Sequence, residues 1–240
     1  MPAPALILFD IDGTLLTRAG PAHKRALEEA VRHVTGRATS LDDVATHGKL
    51  DRDLLTLLLT EAGLSQRARR SALPETMRVA QSIYLESSPP SLVDRLCPGV
   101  CPLLDTLARQ NYVLAVVSGN LTAIGWRKLE LSGIRHYFQF GAFSEQATTR
   151  ALLARTAIRQ ARRQRLVLRT TPIAVIGDHA NDVHAAHSNQ VHAIATGTGL
   201  GSTEELRAAC PHLFVENLTA LRVSDLTTLF ALPIAARTKP

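Results

Sequence analysis

"LILFDIDGTLL", from Leu6 to Leu16, is the most informative stretch of the chain. Its first four residues form a short apolar run, which is typical of a strand buried on both faces. Asp10 follows in line with that strand, where a carboxylate needs a cation or hydrogen-bond donors. Asp12 and Gly13 would fit an ordinary turn, but a turn explains Asp10 poorly. The stretch therefore predicts a buried strand that ends at a ligand-binding site.

Composition limits the class of protein. The chain has 240 residues, of which 45% are hydrophobic and 20% are charged, and this suits one α/β domain with a smaller companion. Asp10 and Asp12 interrupt the first apolar run and no long apolar segment follows, so we predict no leader and no membrane partner. The three cysteines have no zinc-type spacing. They predict reduced thiols and a cytoplasmic protein.

The formal net charge of +6 raises the question of a nucleic-acid partner. The densest basic stretch is "RTAIRQARRQRLVLR", from Arg155 to Arg169, which is typical of a solvated helix face. A preference for arginine over lysine extends along the whole chain, so it does not mark a local binding patch. Aromatic residues, at 4%, offer little surface for base stacking. We therefore predict no nucleic-acid partner.

Hydrophobic periodicity divides the chain into a helical segment and an alternating segment. Helices are predicted at Pro21–Val34, Leu50–Ala62 and Gln66–Glu86, with no strand signal among them. Beyond them, four apolar runs predict strands: Tyr112–Val117, Phe138–Ala142, Ile173–Ile176 and Val191–Ala195. Four helical stretches flank these runs: Val100–Arg109, Leu121–Leu131, Arg150–Arg165 and Asn181–Ser188. This alternation predicts an α/β fold with a doubly wound, Rossmann-like parallel sheet.

The domain division follows from the same pattern. Residues 1–17 and 92–240 are predicted to form the core, and residues 18–91 an all-helical cap inserted after the first strand. The turn-forming stretches Thr17–Pro21 and Ser87–Ser91 are the predicted linkers.

Polar residues follow two later strands in the way that Asp10 follows the first. "VVSGN" contains Ser118, Gly119 and Asn120, and "VIGDHANDV" contains Asp178 and Asp182. The carboxyl ends of parallel strands lie at one edge of a sheet, so these side chains are expected to converge with Asp10.

"DIDGTLL", "VVSGN" and "GDHANDV" resemble the first, second and fourth motifs of the haloacid dehalogenase superfamily of aspartate-nucleophile phosphotransferases. The inserted helices resemble the C1-type cap of that superfamily. "HGKLDRDLL", "CPGV" and "WRKLELSGI" are similar to its phosphoglycolate-phosphatase-like branch. The resemblance covers nearly the whole chain and implies a Mg²⁺-dependent phosphatase that acts on a small phosphorylated metabolite.

The resemblance also implies roles for individual residues. Asp10 would be the nucleophile that forms an aspartyl-phosphate, and Asp12 the general acid and then the base. Asp10, Asp178 and the backbone carbonyl of Asp12 would hold Mg²⁺, with Asp182 orienting this metal shell from outside. Five residues are implied in cradling the phosphoryl oxygens: Gly13, Thr14, Ser118, Gly119 and Asn120. Beside the cap helices, the segment of His47, Gly48 and Lys49 either reaches over the site or forms an ordinary surface loop.

The third motif departs from the family, because the Lys-Pro segment that usually follows the second motif is absent. Lys128 and Arg150 are the two candidate cations. We favour Arg150, which opens a helix near the sheet edge, whereas Lys128 lies about two turns along its helix and is expected to point away. His179, His184 and His187 are predicted to be exposed rather than metal ligands, and Trp126 to be a packing residue.

Other functions stay open at this point. A phosphosugar mutase would use the same nucleophile and cap, whereas a haloacid dehalogenase would need neither a metal nor an acid at Asp12. A catalytically idle binding module is the alternative from another class. The chain is expected to be a monomer or a homodimer.

Overall fold

The computed structural model describes residues 3–17 and 20–233. In these ranges six strands form one parallel sheet in the order β3-β2-β1-β4-β5-β6. The strands are β1 Leu6–Phe9, β2 Val113–Val117, β3 Phe140–Ala142, β4 Ile173–Gly177, β5 His192–Thr196 and β6 Leu213–Val215. This confirms the predicted doubly wound α/β fold. Of these six strands, β6 lacks a counterpart among the predicted strands; it has three residues, of which only Val215 is buried.

Helices cover both faces of the sheet. They are α1 Pro21–Thr35, α2 Asp51–Glu61, α3 Gln66–Ser87, α4 Val100–Arg109, α5 Thr122–Leu131, α6 Arg150–Arg163, α7 Ala180–Ser188, α8 Thr203–Ala208 and α9 Val223–Ala231. The ends of α1 to α7 agree with the predicted helices to within two residues, whereas α8 and α9 were not predicted. Within the described ranges, no helix combines the length and the apolar character that crossing a membrane requires.

Strand β1 explains why the sheet needs helices on both sides. Ile7 and Phe9 pack into a cluster with residues of α4 and α9, whereas Leu6 and Leu8 pack into a second cluster with residues of α6 and α7. All four side chains are fully buried, and each contributes about 1.5–3 kcal/mol of hydrophobic stabilisation. An uninterrupted apolar strand is therefore the pattern expected at the centre of a three-layer fold.

The helices α1, α2 and α3 share a separate hydrophobic cluster that includes Leu27, Leu58 and Tyr84. Leu121 and Ile124, at the start of α5, belong to the same cluster and join these helices to the rest of the protein. Residues 18 and 19, in the first predicted linker, and residues 234–240 lie outside the described ranges. The exact bounds of core and cap stay a prediction.

The sheet topology brings the polar motifs together. The strand order reverses between β1 and β4, which are paired neighbours. Ligands bind at the carboxyl edge of such a reversal, since the loops on either side of it separate there. Asp10 follows β1, Ser118 follows β2 and Asp178 follows β4, so all three lie at that edge.

Candidate active site

Three buried carboxylates form the centre of this edge. Asp10, Asp178 and Asp182 each place a carboxylate oxygen within 4.8 Å of the others. Burial is the largest cause that raises the pKa of Asp10 to about 8 and that of Asp182 to about 6, and the negative charge of Asp178 adds to both shifts. Clustered carboxylate oxygens are the donors that a hard divalent cation prefers, so these residues fit Mg²⁺. The structure brings Asp182 inside this cluster rather than outside it.

Arg150, the first residue of α6, partly balances the cluster. One guanidinium nitrogen, Nη1, donates to Asp10 Oδ1 over 3.0 Å, and Nε lies 3.2 Å from Asp182 Oδ1. Burial opposes the charge on Arg150, but the surrounding carboxylates outweigh it and raise the pKa of Arg150 further above its usual range. Thr149 caps α6 by accepting from the Leu152 N–H. The start of α6 thus holds a fixed cation against Asp10.

Lys128 also reaches the site, so the expectation that it points away is wrong. Its side chain is only 1% exposed, and Nζ lies 2.7 Å from both carboxylate oxygens of Asp12. Side chains on a helix lean towards its amino end, and this lean together with the long stem brings the ammonium back to the sheet edge. Burial opposes ionisation of Asp12, but Lys128, His23 and Asn120 together outweigh it and lower the pKa of Asp12.

The loop after β2 supports Asp12 from the other side. Asn120 Nδ2 donates to Asp12 Oδ2 over 2.6 Å and to Ser118 Oγ over 3.0 Å. Gly119 leaves room for the inserted segment, because a Cβ there would lie 2.4 Å from the carbonyl oxygen of Lys49. Ser118, Gly119 and Asn120 all line the cavity that opens between the sheet edge and the inserted helices, as their predicted role requires.

Gly13 and Thr14 do not face the cavity, and their predicted role in cradling phosphate needs correction. Thr14 is fully buried, and its hydroxyl donates to Asp178 Oδ1 over 2.9 Å. Gly13 has a φ of +90°, and a Cβ there would lie 2.1 Å from Asp178 Oδ2. Their backbone N–H groups are used locally, by the carbonyls of Leu16 and Ile11. Thr14 instead holds Asp178 through its side-chain hydrogen bond, and the missing side chain of Gly13 leaves room for the Asp178 carboxylate.

Asp51 and His23, which sequence reasoning missed, connect the inserted helices to Asp12. Asp51 Oδ2 accepts from the backbone N–H of Leu121 over 2.8 Å and lies 2.9 Å from His23 Nε2. His23 Nδ1 in turn lies 3.2 Å from Lys128 Nζ. The chain of contacts Asp12–Lys128–His23–Asp51 therefore joins the sheet edge to α1 and α2. Asp51 lies in the stretch "HGKLDRDLL", but no role of Asp51 or His23 was predicted from the sequence.

The segment of His47, Gly48 and Lys49 lies over the carboxylates rather than forming a separate surface loop. His47 Nε2 lies 2.7 Å from Asp178 Oδ2, and this hydrogen bond raises the pKa of His47. The rings of His47 and His179 are 4.7 Å apart, and Asn181 Nδ2 donates to the Gly48 carbonyl over 3.0 Å. His179 is thus half-buried against this segment, not exposed as expected.

Other predicted side chains fall outside the site. Trp126 packs edge-on against Phe143 with ring centroids 5.1 Å apart, in agreement with a packing role. The cysteines of the described ranges are free.

A cavity of about 650 Å³ opens between the sheet edge and the inserted helices. Asp10, Asp12, Lys128 and Arg150 line its floor. Residues of α1, α2 and the intervening segment line its roof, which contains polar and apolar side chains: His23, Lys24, Leu27, Asp42, Lys49 and Leu54. This volume lies in the range of small-molecule sites.

Comparison with known proteins agrees with this geometry. The chain is 29% identical over 214 residues to the phosphoglycolate phosphatase of Synechococcus elongatus, covering 88% of this chain and 92% of the relative. The beta-phosphoglucomutase of Clostridium difficile has a similar fold, with a TM-score of 0.68 and 17% identity over 95% of this chain and 97% of that one. A predicted phosphoglycolate phosphatase from Haemophilus somnus has a TM-score of 0.66 and 22% identity, covering 94% and 98%. The family model of haloacid dehalogenase-like hydrolases matches residues 4–189. The chain is therefore an enzyme that belongs to the haloacid dehalogenase-like hydrolase family.

Proposed function

We propose that the protein is a Mg²⁺-dependent phosphatase that hydrolyses a small phosphomonoester. One observation carries the proposal: Asp10 lies in a buried carboxylate cluster against Arg150, while Asp12 faces the same cavity and is held by Lys128. A site with only a nucleophile, or with only a metal ion, would not need Asp12, a second carboxylate that has its own partners. The Synechococcus elongatus relative, at 29% identity, is a phosphoglycolate phosphatase, and this supports the same reaction class.

The metal would be held by Asp10, Asp178 and the backbone carbonyl of Asp12, with Asp182 at the same cluster. When bound, Mg²⁺ supplies positive charge that offsets the repulsion between these carboxylates and the substrate's phosphate. Arg150 supplies a second, permanent charge beside Asp10, and a guanidinium fork suits phosphoryl oxygens. We assign Arg150 the role of the missing third motif.

The chain's own residues then carry the reaction. Asp10 attacks phosphorus, the bond to the leaving oxygen breaks, and Asp12 donates a proton to that oxygen. In the second step Asp12 takes a proton from a water molecule, whose oxygen attacks phosphorus and releases Asp10 as a carboxylate. Lys128 favours the ionised form of Asp12, which is the form that the second step needs.

The inserted helices are proposed to act as a cap that encloses the substrate. His47 and Lys49 line the cavity, and Asp51 ties α2 to the loop after β2. A cytoplasmic location and a monomeric or homodimeric state stay predictions of the sequence.

A phosphate-release screen over small phosphomonoesters, with an aryl phosphate as a generic substrate, tests the proposal. We expect Mg²⁺-dependent phosphate release that a chelator abolishes and that Ca²⁺ restores poorly, because Ca²⁺ favours a larger and looser shell. Asp10→Asn should be folded and inactive. Conversion of a phosphosugar to its isomer without phosphate release would instead favour a mutase, and activity in Asp10→Asn would refute the mechanism.

A further inference from the structure

A second cavity, of about 680 Å³, lies at the opposite edge of the sheet. It is formed by α6, the segments that precede β4 and β5, and the end of α9, and we call it the basic cleft. Strand β4 runs from Ile173, in the basic cleft, to Gly177, beside the carboxylate cluster, and these ends are about 13 Å apart. The basic cleft is therefore separate from the candidate active site.

Four arginines give the basic cleft its charge. Arg155, Arg159 and Arg162 lie on one face of α6, and Arg169 follows in the segment before β4. No aspartate or glutamate is among the residues described as lining this cavity. These arginines also form no ion pair with any described carboxylate, and Arg155 donates only to Asn189 Oδ1, over 3.3 Å. Among the described residues, four cations thus line one cavity without a counter-charge.

The arginines of the basic cleft are exposed, and α3 also carries exposed arginines, Arg67 and Arg70, that form no ion pair with a described carboxylate. The basic cleft differs in that its four unpaired arginines line one cavity together, whereas Arg32 and Arg78 pair with Glu29 and Glu75 on their own helices. Attraction to the carbonyl end of a helix reaches only its last turn, so it explains Arg162 but not Arg155 or Arg159.

His192, the first residue of β5, provides an independent observation. It lines the basic cleft and is 3% exposed, yet neither ring nitrogen has a hydrogen-bond partner among the described residues. Its ring lies between the rings of His212 and Phe230, with centroids 5.3 and 5.4 Å away. Buried polar groups in proteins are nearly always paired, so this imidazole indicates a polar ligand atom at the wall of the cleft.

We propose that the basic cleft binds a small polyphosphate, that is, a ligand with two or more linked phosphate groups. Arginine forks bind phosphate oxygens in pairs. The three arginines of α6 are spaced i, i+4 and i+7, so their charges extend over about 10 Å, further than one phosphate group can bridge. Phe230 and Ile158, which also line the cleft, offer apolar surface for an organic part of such a ligand.

Calorimetric titration with inorganic tripolyphosphate tests the proposal. The variant Arg155→Gln/Arg159→Gln should lose affinity by at least about tenfold, since each hydrogen bond to a charged group is worth that much or more. The matched control is Arg67→Gln/Arg70→Gln, which removes two exposed arginines from α3 and lowers the net charge equally. The control should bind tripolyphosphate as the unchanged protein does.

Two further measurements locate the binding. Tripolyphosphate should shift the imidazole resonances of His192, assigned by comparison with His192→Gln. Tripolyphosphate chelates Mg²⁺, so hydrolysis of the aryl phosphate is measured at a fixed concentration of free Mg²⁺. Inhibition under that condition reports binding in the catalytic cavity, and Arg155→Gln/Arg159→Gln should leave both that inhibition and the turnover unchanged.

Equal loss of affinity in both double variants would show that binding depends on net charge alone, and this would overturn the proposal. Unchanged affinity in Arg155→Gln/Arg159→Gln, or no response at His192, would also overturn it. Tighter binding of a single-stranded oligonucleotide than of tripolyphosphate, lost with the same two arginines, would assign the cleft to nucleic acid instead.

Discussion

Replacing Lys128 by methionine should slow the breakdown of the aspartyl-phosphate. The change keeps the shape of a nearly linear buried side chain but removes the ammonium that lies 2.7 Å from both oxygens of Asp12. Burial would then act on Asp12 with less opposition, so the pKa of Asp12 would rise. Less of the ionised form would be present to accept a proton from water.

The size of the effect depends on how far water screens the ion pair between Lys128 and Asp12. Breaking a fully buried ion pair costs about 3–5 kcal/mol. The Asp12 side chain is 35% exposed towards the cavity, so we reduce this to about 1–2 kcal/mol. If the whole of this loss falls on the second step, kcat decreases by about 5- to 30-fold.

Stopped-flow kinetics with an aryl phosphate measures this directly. Lys128→Met should show a burst of released phenol followed by a slow steady state, because phosphoenzyme accumulates. Arg127→Met is the matched control: it removes a cation from the same helix, one that pairs with Glu130 and does not line the cavity. A burst-free Lys128→Met with normal kcat, or an equal loss in Arg127→Met, would refute the reasoning.

Three further changes have defined outcomes. Arg150→Ala should lower kcat/KM at least about tenfold more than Lys128→Ala does, because Arg150 lies against the nucleophile itself. Steady-state kinetics on both variants would show the reverse order if Lys128 were the phosphate-neutralising cation. Mg²⁺ should bind more tightly as pH rises from 6 to 8 and should release protons, since Asp10 and Asp182 lie in the proposed metal cluster and their pKa values are raised to about 8 and about 6. Calorimetry in two buffers of different ionisation enthalpy would detect no proton release if the metal did not bind at this cluster. Asp51→Asn should raise KM more than it lowers kcat, because it weakens the attachment of α2 to the Leu121 N–H. An unchanged KM would show that the inserted helices take no part in substrate binding.

The sheet and its polar edge were predictable because they depend on local patterns. An apolar run as short as Leu6–Phe9, bounded by polar residues, is typical of a buried strand, and parallel strands bring their carboxyl ends to one edge. The positions of Asp10, Asp178 and Ser118 followed from this rule without any knowledge of contacts.

The contacts between side chains were not predictable in the same way. Lys128 reaches Asp12 because of the tilt and length of one side chain, which helix position alone does not reveal. Thr14 belongs to the motif "DIDGTLL", yet its hydroxyl is directed at Asp178, 164 residues away. His23 and Asp51 belong to helices whose placement over the sheet edge depends on tertiary packing, so their role was missed.

The most direct test of the account asks whether Asp10 becomes phosphorylated. Asp12→Asn removes the acid for the first step and the base for the second. With an aryl phosphate, whose acidic leaving group departs without a proton, the first step should still proceed and phosphoenzyme should accumulate. Acid quenching, borohydride reduction and peptide mass spectrometry convert an aspartyl-phosphate to homoserine and locate it in the chain. We predict homoserine at position 10, within the peptide that contains Leu6–Leu16, and none in the Asp10→Asn/Asp12→Asn double variant. Modification at another residue, or substrate turnover by Asp12→Asn with position 10 unmodified, would contradict the proposal that Asp10 is the nucleophile.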